Sequence, residues 1–195
     1  LVEMFSSQKM KDEKIVFKDK ELQQQVEKGI KENGIIDHPK FGKIIAFEVN
    51  GYGSFHMMDD ANVPSLLSLP YLGAIQPNNP LYLATRKVVL SESNPFFYKG
   101  KAGEGVGGPH TGADTIWPMS IIQRAITSVD EKEIQMCINM LLKTHADTGF
   151  MHESFHKDDA NQFTRKWFAW ANTLFGELIV HTSIRHPKIL ANKNI

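Results

Sequence analysis

Apolar positions recur along this chain at helical spacing in some stretches and in strand-like runs in others. Leu22, Val26 and Ile30 stand four apart in an otherwise polar segment, which predicts a one-faced surface helix over 19–33 with Gly34 as its left-handed stop. The β-rich runs 44–49 and 54–58 flank Asn50-Gly51-Tyr52-Gly53, and together they predict a short hairpin. Asp59-Asp60-Ala61-Asn62-Val63-Pro64 places Asx residues ahead of a proline, so a helix is expected from 65, cut short or kinked by Pro70. Asn79-Pro80 opens another helix in the same way, through Tyr82, Leu83, Arg86 and Val89 to about Leu90.

Residues 94–100 form an aromatic turn region, and 101–118 read as a Gly-rich irregular loop that carries His110, Asp114 and Trp117. Pro118 then starts a helix through Ile121, Ile122, Ala125 and Ile126. Ser128-x-x-Glu131 reads as the capping box of the next, over 130–143, so the two make a helical hairpin. A last helix runs through Trp170, Leu174, Phe175, Leu178 and Ile179 to Arg185-His186-Pro187, with 189–195 expected as a frayed tail. That makes at least five helices, antiparallel by loop length, with a small β-hairpin and several long loops. No βαβ alternation is present, so the class is mostly α. The first residues, Leu1-Val2-Glu3-Met4-Phe5, read as the end of a helix already under way, and the chain is expected to be the C-terminal part of a longer protein.

Composition narrows the partners. Lys and Arg number 22 and Asp and Glu number 22 in 195 residues, which gives no pull toward nucleic acid or membrane and favours a neutral ligand. The single cysteine, Cys137, falls in a helical pattern with Ile134, Ile138 and Met140. It therefore excludes a disulfide framework and a cysteine-based zinc site. No apolar run approaches the roughly 20 residues that span a bilayer.

The chemistry concentrates in 147–159. His152-Glu153-Ser154-Phe155-His156 matches H-E-x-x-H, the two-histidine zinc pattern, with Glu177 on the last helix as a candidate third ligand. That pattern needs a continuous helix. Gly149 before it and Lys157-Asp158-Asp159 after it argue instead for a loop that presents Glu153 into a cleft. Gly103-Glu104-Gly105-Val106-Gly107-Gly108 fits G-x-G-x-x-G as a string but lacks the surrounding strand and helix of a dinucleotide site, so a flexible loop approached by a ligand is the better reading. Asp59 and Asp60 read either as helix cap and dipole partner or as a pair that grips a polar ligand near Asn62. Trp170 reads as core, whereas Trp117 and Trp167 stand at loop-to-helix edges beside Arg165, where an indole can stack on a sugar ring. Carboxylates, amides, histidines and tryptophans gathered in loops suit carbohydrate, but they name no reaction.

Four blocks in order carry a resemblance. They are Met58-Asp59-Asp60-Ala61-Asn62-Val63-Pro64-Ser65-Leu66-Leu67-Ser68-Leu69-Pro70-Tyr71-Leu72-Gly73; Pro109-His110-Thr111-Gly112 with Ile116-Trp117-Pro118; Thr148-Gly149-Phe150-Met151-His152-Glu153-Ser154-Phe155; and Phe163-Thr164-Arg165 with Trp167-Phe168-Ala169-Trp170-Ala171-Asn172. From about residue 19 to 185 the chain resembles glycoside hydrolase family 125, the exo-α-1,6-mannosidases. The resemblance implies that 1–195 is the C-terminal portion of a single (α/α)6 barrel domain. It also implies metal-independent, cofactor-free, inverting removal of a terminal mannose from an α-1,6-linked mannoside or an N-glycan-derived oligosaccharide. By the family's motif Glu153 matches the general base, and Asp59, Asp60, Asn62, His110, Trp117, His152, Arg165 and Trp167 are expected as substrate contacts, with His156 a bystander. The family's acid lies in an Arg-Pro-Ser-Asp-Asp-type segment that does not occur here. The resemblance therefore leaves two expectations, the base-bearing part of a mannosidase or a non-catalytic mannoside-binding or scaffold domain.

Overall fold

The computed structural model describes residues 13–191, with side chains from residue 18 onward; residues 1–5 and 192–195, for which a helix end and a tail are expected, lie outside the described residues. Helix α1 (Glu13–Asn33) has the expected apolar stripe, and Leu22, Val26 and Ile30 on it are about half exposed. Gly34 ends α1 by a different device from the one expected. Its φ is not positive; its N–H donates to the Ile30 carbonyl at 2.8 Å, and an added Cβ would meet that oxygen at 2.9 Å. Close backbone approach, not a left-handed turn, demands glycine there.

Strands β1 (Ile35–His38) and β2 (Gly42–Ile45) pair as a hairpin that the sequence did not announce, and β3 (Glu48–Val49) and β4 (Phe55–His56) form the expected one. Asn50 holds that turn with its side-chain oxygen, which accepts from Tyr52 and Ser54 N–H. No helix forms at 65–69. Ser65 and Ser68 exchange side-chain and backbone hydrogen bonds with each other, and this local pairing competes with a helical ladder between Pro64 and Pro70. Helix α2 (Pro80–Val89) begins as expected, with Asn79 Oδ1 accepting from Leu81 N–H at 2.9 Å.

The stretch 101–118 is not a loop. Strand β6 (Glu104–Val106) pairs with β5 (Phe97–Lys99), and β7 (Thr115–Ile116) joins β8 (Ser154–His156) and β9 (Asp159–Thr164) in a three-stranded antiparallel sheet ordered β7-β8-β9. The glycines that suggest flexibility are packing glycines. A Cβ on Gly105 would meet Ile116 at 2.8 Å, and one on Gly107 would overlap the Thr115 carbonyl oxygen.

Helices α3 (Pro118–Ile126), α4 (Glu131–Lys143) and α5 (Ala169–Arg185) carry the core. Met119, Ile122, Ile138, Cys137, Leu141, Ala171 and Leu178 are fully or almost fully buried in one cluster, and each large aliphatic side chain among them contributes about 1.5–3 kcal/mol. Asp130, rather than the expected Ser128, caps α4, and Ser128 instead donates to Glu133. Trp170 is 40 % exposed, because Ala171, Leu174 and Leu178 define the buried face of α5, and the core role expected of it does not hold. The tail expected from 189 is ordered up to residue 191. Helix α6 (Pro187–Ala191) buries Ile189 in the core. Among the described residues no helix is long and apolar enough to cross a membrane. The result is a mostly helical chain with small antiparallel sheets.

Candidate functional site

Glu153 sits immediately before β8, and the sheet register determines its surroundings. Its N–H donates to the Thr164 carbonyl at 3.2 Å, continuing the β8–β9 ladder in which Ser154 faces Thr164 and Phe155 faces Phe163. Beyond β9 the two segments stay fastened. Phe168 N–H donates to the Met151 carbonyl, and the Asn172 side chain accepts from Met151 N–H at 3.1 Å and donates to the Met151 and Phe168 carbonyls at 2.8 Å each. Between these ties Arg165 adopts φ +44°, a left-handed conformation sustained by the bonded backbone on both sides.

This arrangement swings Arg165 across Glu153. Its Nε lies 3.3 Å from Glu153 Oε2, and its guanidinium rests over the Phe168 ring at 5.7 Å. Phe168 in turn meets Trp117 edge-to-face at 6.5 Å, and Trp117 lies 6.4 Å from the exposed His110 ring. Gly108 completes the circle: a Cβ there would lie 3.0 Å from the Asp60 carbonyl and 3.8 Å from the Trp117 indole. A carboxylate, a guanidinium, three aromatic rings and the Asp60 segment are thus continuous on the fold. Sugar hydroxyls need donors and acceptors of this kind, and their ring faces need the flat apolar surface beside them.

Two of the expected contacts are buried out of reach. Asp59 is fully buried; Oδ1 accepts from Ala61 N–H at 3.0 Å, Oδ2 accepts from Leu67 N–H at 2.9 Å, and Asn94 bonds both its backbone groups. Burial pushes the Asp59 carboxyl up to about 6, against the pull of the Leu67 and Ala61 N–H groups. It is the clamp of the irregular segment 57–74 and touches no open surface. His152 is also fully buried, stacked on Phe163 at 3.9 Å, with Nδ1 2.8 Å from the Lys166 carbonyl and Nε2 3.2 Å from that of His145. It fastens backbone rather than substrate. Trp117 is 3 % exposed with its indole N–H on Thr111 Oγ1, so it underlies the site instead of standing open as a plate. Asp60 is half-buried and binds Asn62 through both oxygens, whereas Trp167 is 57 % exposed.

The zinc pattern is undone by the same geometry. Its residues run from irregular backbone into a strand rather than along a helix, and both His152 ring nitrogens face carbonyl oxygens. His156 Nδ1 accepts from Asp158 N–H, and Glu177 accepts from Tyr71 O–H at 3.0 Å. Among the described residues no three His, Cys, Asp or Glu side chains group as metal ligands. An open groove of about 530 Å³ between β2 and α2, lined by Phe41, Lys43, Pro80, Leu81 and Ala84, shares no residue with the site and presents no carboxylate for acid–base work.

Sequence reasoning missed Ser154, Thr164, Phe168 and Asn172, which hold Glu153 and Arg165 in place. The β8–β9 register links Ser154 and Thr164, and the Asn172 side chain links Phe168 to Met151; strands this short and a single amide on a helix leave little signal in the sequence.

Comparison with known proteins matches this geometry to a family. The model of the metal-independent alpha-mannosidases (GH125) matches residues 1–180. The chain is 53 % identical over 166 residues to the meiotically up-regulated gene 157 protein of Schizosaccharomyces pombe, covering 85 % of this chain and 33 % of that protein. It also superposes with a TM-score of 0.88 and 40 % identity on a metal-independent alpha mannosidase of Streptococcus pneumoniae, solved in a non-productive complex with alpha-1,6-mannobiose; 94 % of this chain and 43 % of that one are covered. The chain thus spans less than half the length of either relative, and it belongs to the metal-independent α-mannosidases of glycoside hydrolase family 125.

Proposed function

We propose that this chain carries the base-bearing part of an inverting exo-α-1,6-mannosidase, with Glu153 as the general base. The observation that carries the proposal is the placement of Glu153: a carboxylate 14 % exposed, paired with Arg165, whose guanidinium rests over Phe168 with the buried Trp117 packed against that ring. In the reaction a water oxygen bonds to C1 of mannose from the face opposite the glycosidic oxygen, and Glu153 takes its proton. The C1–O bond breaks as a carboxylic acid protonates the departing oxygen. An inverting pair of carboxyls stands about 6.5 to 9.5 Å apart to leave room for that water. Arg165, His110, Asp60, Asn62 and Trp167 are the side chains best placed to meet hydroxyls or a ring face. The mannobiose bound to the Streptococcus pneumoniae relative supports an α-1,6-mannoside as ligand, and N-glycan-derived oligosaccharides present such ends.

The acid is not supplied by Asp59, which is buried against backbone amides. It belongs to the part of the fold that the longer relatives have beyond this chain. The exposed apolar residues Val180 and Ile184 on α5, with Leu22, Val26 and Ile30 on α1, support the same reading, since the further helices of an (α/α)6 barrel would cover such faces. The experiment is turnover of α-1,6-mannobiose by the 195-residue chain and by a polypeptide that adds the remainder of the fold. The chain alone is expected to be inactive and the longer polypeptide active. Turnover by the chain alone, lost in Glu153→Gln, would return Asp59 or Asp60 as the acid. An inactive longer polypeptide that still binds mannobiose would favour the mannoside-binding alternative.

A further inference from the structure

Among the described residues, the hydrogen bond and the ion pair made by the Glu153 carboxylate fall on one oxygen only. Thr164 Oγ1 donates to Oε2 at 3.2 Å and Arg165 Nε lies 3.3 Å from the same atom, while Oε1 has no partner among the described residues. Ser154 Oγ lies 2.8 Å from Thr164 Oγ1, directly across the β8–β9 pair, and Ser154 is fully buried. Proton direction along this row follows from counting. A hydroxyl carries one hydrogen, and the carboxylate can only accept, so Thr164 gives its hydrogen to Oε2 and must receive that of Ser154. The row is therefore Ser154 O–H to Thr164 O–H to Glu153 Oε2, a chain in which each donor polarises the next.

Resting on the reading of Glu153 as base, we infer that Thr164 is a positioning residue of the reaction, supported by Ser154, and that it reserves Oε1 as the atom that receives the proton of the attacking water. A carboxylate free to rotate about its last torsion exchanges its two oxygens. One anchored at Oε2 by a hydroxyl of the adjoining strand and by Arg165 presents a single oxygen in a fixed direction, and catalytic geometry of that kind is worth orders of magnitude in rate. Thr164 itself need not touch the sugar. The hydroxyl alone carries the role, which separates it from a residue kept only for packing.

The test is steady-state kinetics on α-1,6-mannobiose, in the polypeptide carrying the whole fold, for Glu153→Gln, Thr164→Val, Thr164→Ser and Ser154→Ala, with melting temperatures alongside. Thr164→Val removes a hydrogen bond to a charged group and is expected to lower kcat about tenfold with KM within about twofold. Thr164→Ser keeps the hydroxyl, is expected within about threefold of the parent, and is the decisive partner should Thr164→Val fold poorly. Ser154→Ala, one bond removed, is expected to lower kcat about threefold. Unchanged kcat in Thr164→Val, or equal losses in Thr164→Val and Thr164→Ser, would overturn the inference while leaving the base in place if Glu153→Gln is inactive. Full turnover by Glu153→Gln would remove the base reading itself.

Discussion

Asp59 and Glu153 are both acidic side chains beside irregular backbone, yet they are bound in opposite ways. Asp59 is enclosed: both oxygens accept backbone N–H groups within its own segment, and no face is left for a ligand. Among the described residues Glu153 is held on one side only, by a hydroxyl and a guanidinium that meet at Oε2. A buried carboxylate with both oxygens on backbone amides stabilises a fold, whereas one with a free oxygen beside an aromatic cluster can accept a proton from water. The pair shows why a conspicuous Asp-Asp in a sequence need not be the reagent.

Exchanging the two roles by mutation separates them, and the largest effect belongs to Glu153. Glu153→Gln is expected to lower turnover of α-1,6-mannobiose about 10³-fold in the polypeptide carrying the whole fold, as removal of a general base does, with denaturant stability within about 1 kcal/mol of the parent. Asp59→Ala should show the reverse weighting. Two buried N–H groups lose their acceptor, so chemical denaturation is expected to report a loss of about 3 to 4 kcal/mol.

A pH series sharpens the same contrast. The folded-state carboxyl of Asp59 lies at about 6, above its ordinary value of 3.8, so between those values the folded chain binds more protons than the unfolded one. Stability from this group is full below about 4 and is lost as pH rises to about 6, an amount of about 2 to 3 kcal/mol that Asp59→Asn should remove from the pH profile. Glu104 behaves oppositely. Burial raises its carboxyl, but Lys99 and Arg124 outweigh that and hold it below the usual range, so its contribution is lost as pH falls.

Asn172→Ala comes next, at about 2 kcal/mol, because it unfastens Met151 and Phe168 from α5 while leaving Glu153 paired with Thr164. Both stability and kcat are expected to drop, measured by melting and by turnover, and an effect on melting alone would show that the tie does not reach the site. The smallest effect is that of a chelator. Incubation with EDTA should leave turnover unchanged; loss of activity restored by zinc would revive the two-histidine pattern.

The helices were legible because their signals are local. Asn79-Pro80 and Trp117-Pro118 mark starts within a residue, and the apolar spacing of Ile134, Ile138 and Leu141 needs no distant partner. The strands of the site carry two to six residues each, and β7 closes on a partner about 40 positions away, Ile116 on Phe155, so 101–118 reads as loop until its glycines are seen packing against Ile116 and Thr115. Burial was the other hidden quantity. His152 and Asp59 look like ligands in a string of letters, and only the carbonyls and amides packed around them show that both are satisfied inside. Thr164 stands in the Phe163-Thr164-Arg165 block with no role of its own, and only the structure shows its hydroxyl facing Glu153.

The measurement that bears most directly on Glu153 as a base acting on water is the configuration of the first mannose released. Proton NMR of α-1,6-mannobiose turning over in the polypeptide that carries the whole fold should show β-mannose appearing first, then mutarotating toward the α form. First appearance of α-mannose would mean a covalent intermediate or a different acceptor, and would contradict the role assigned to Glu153.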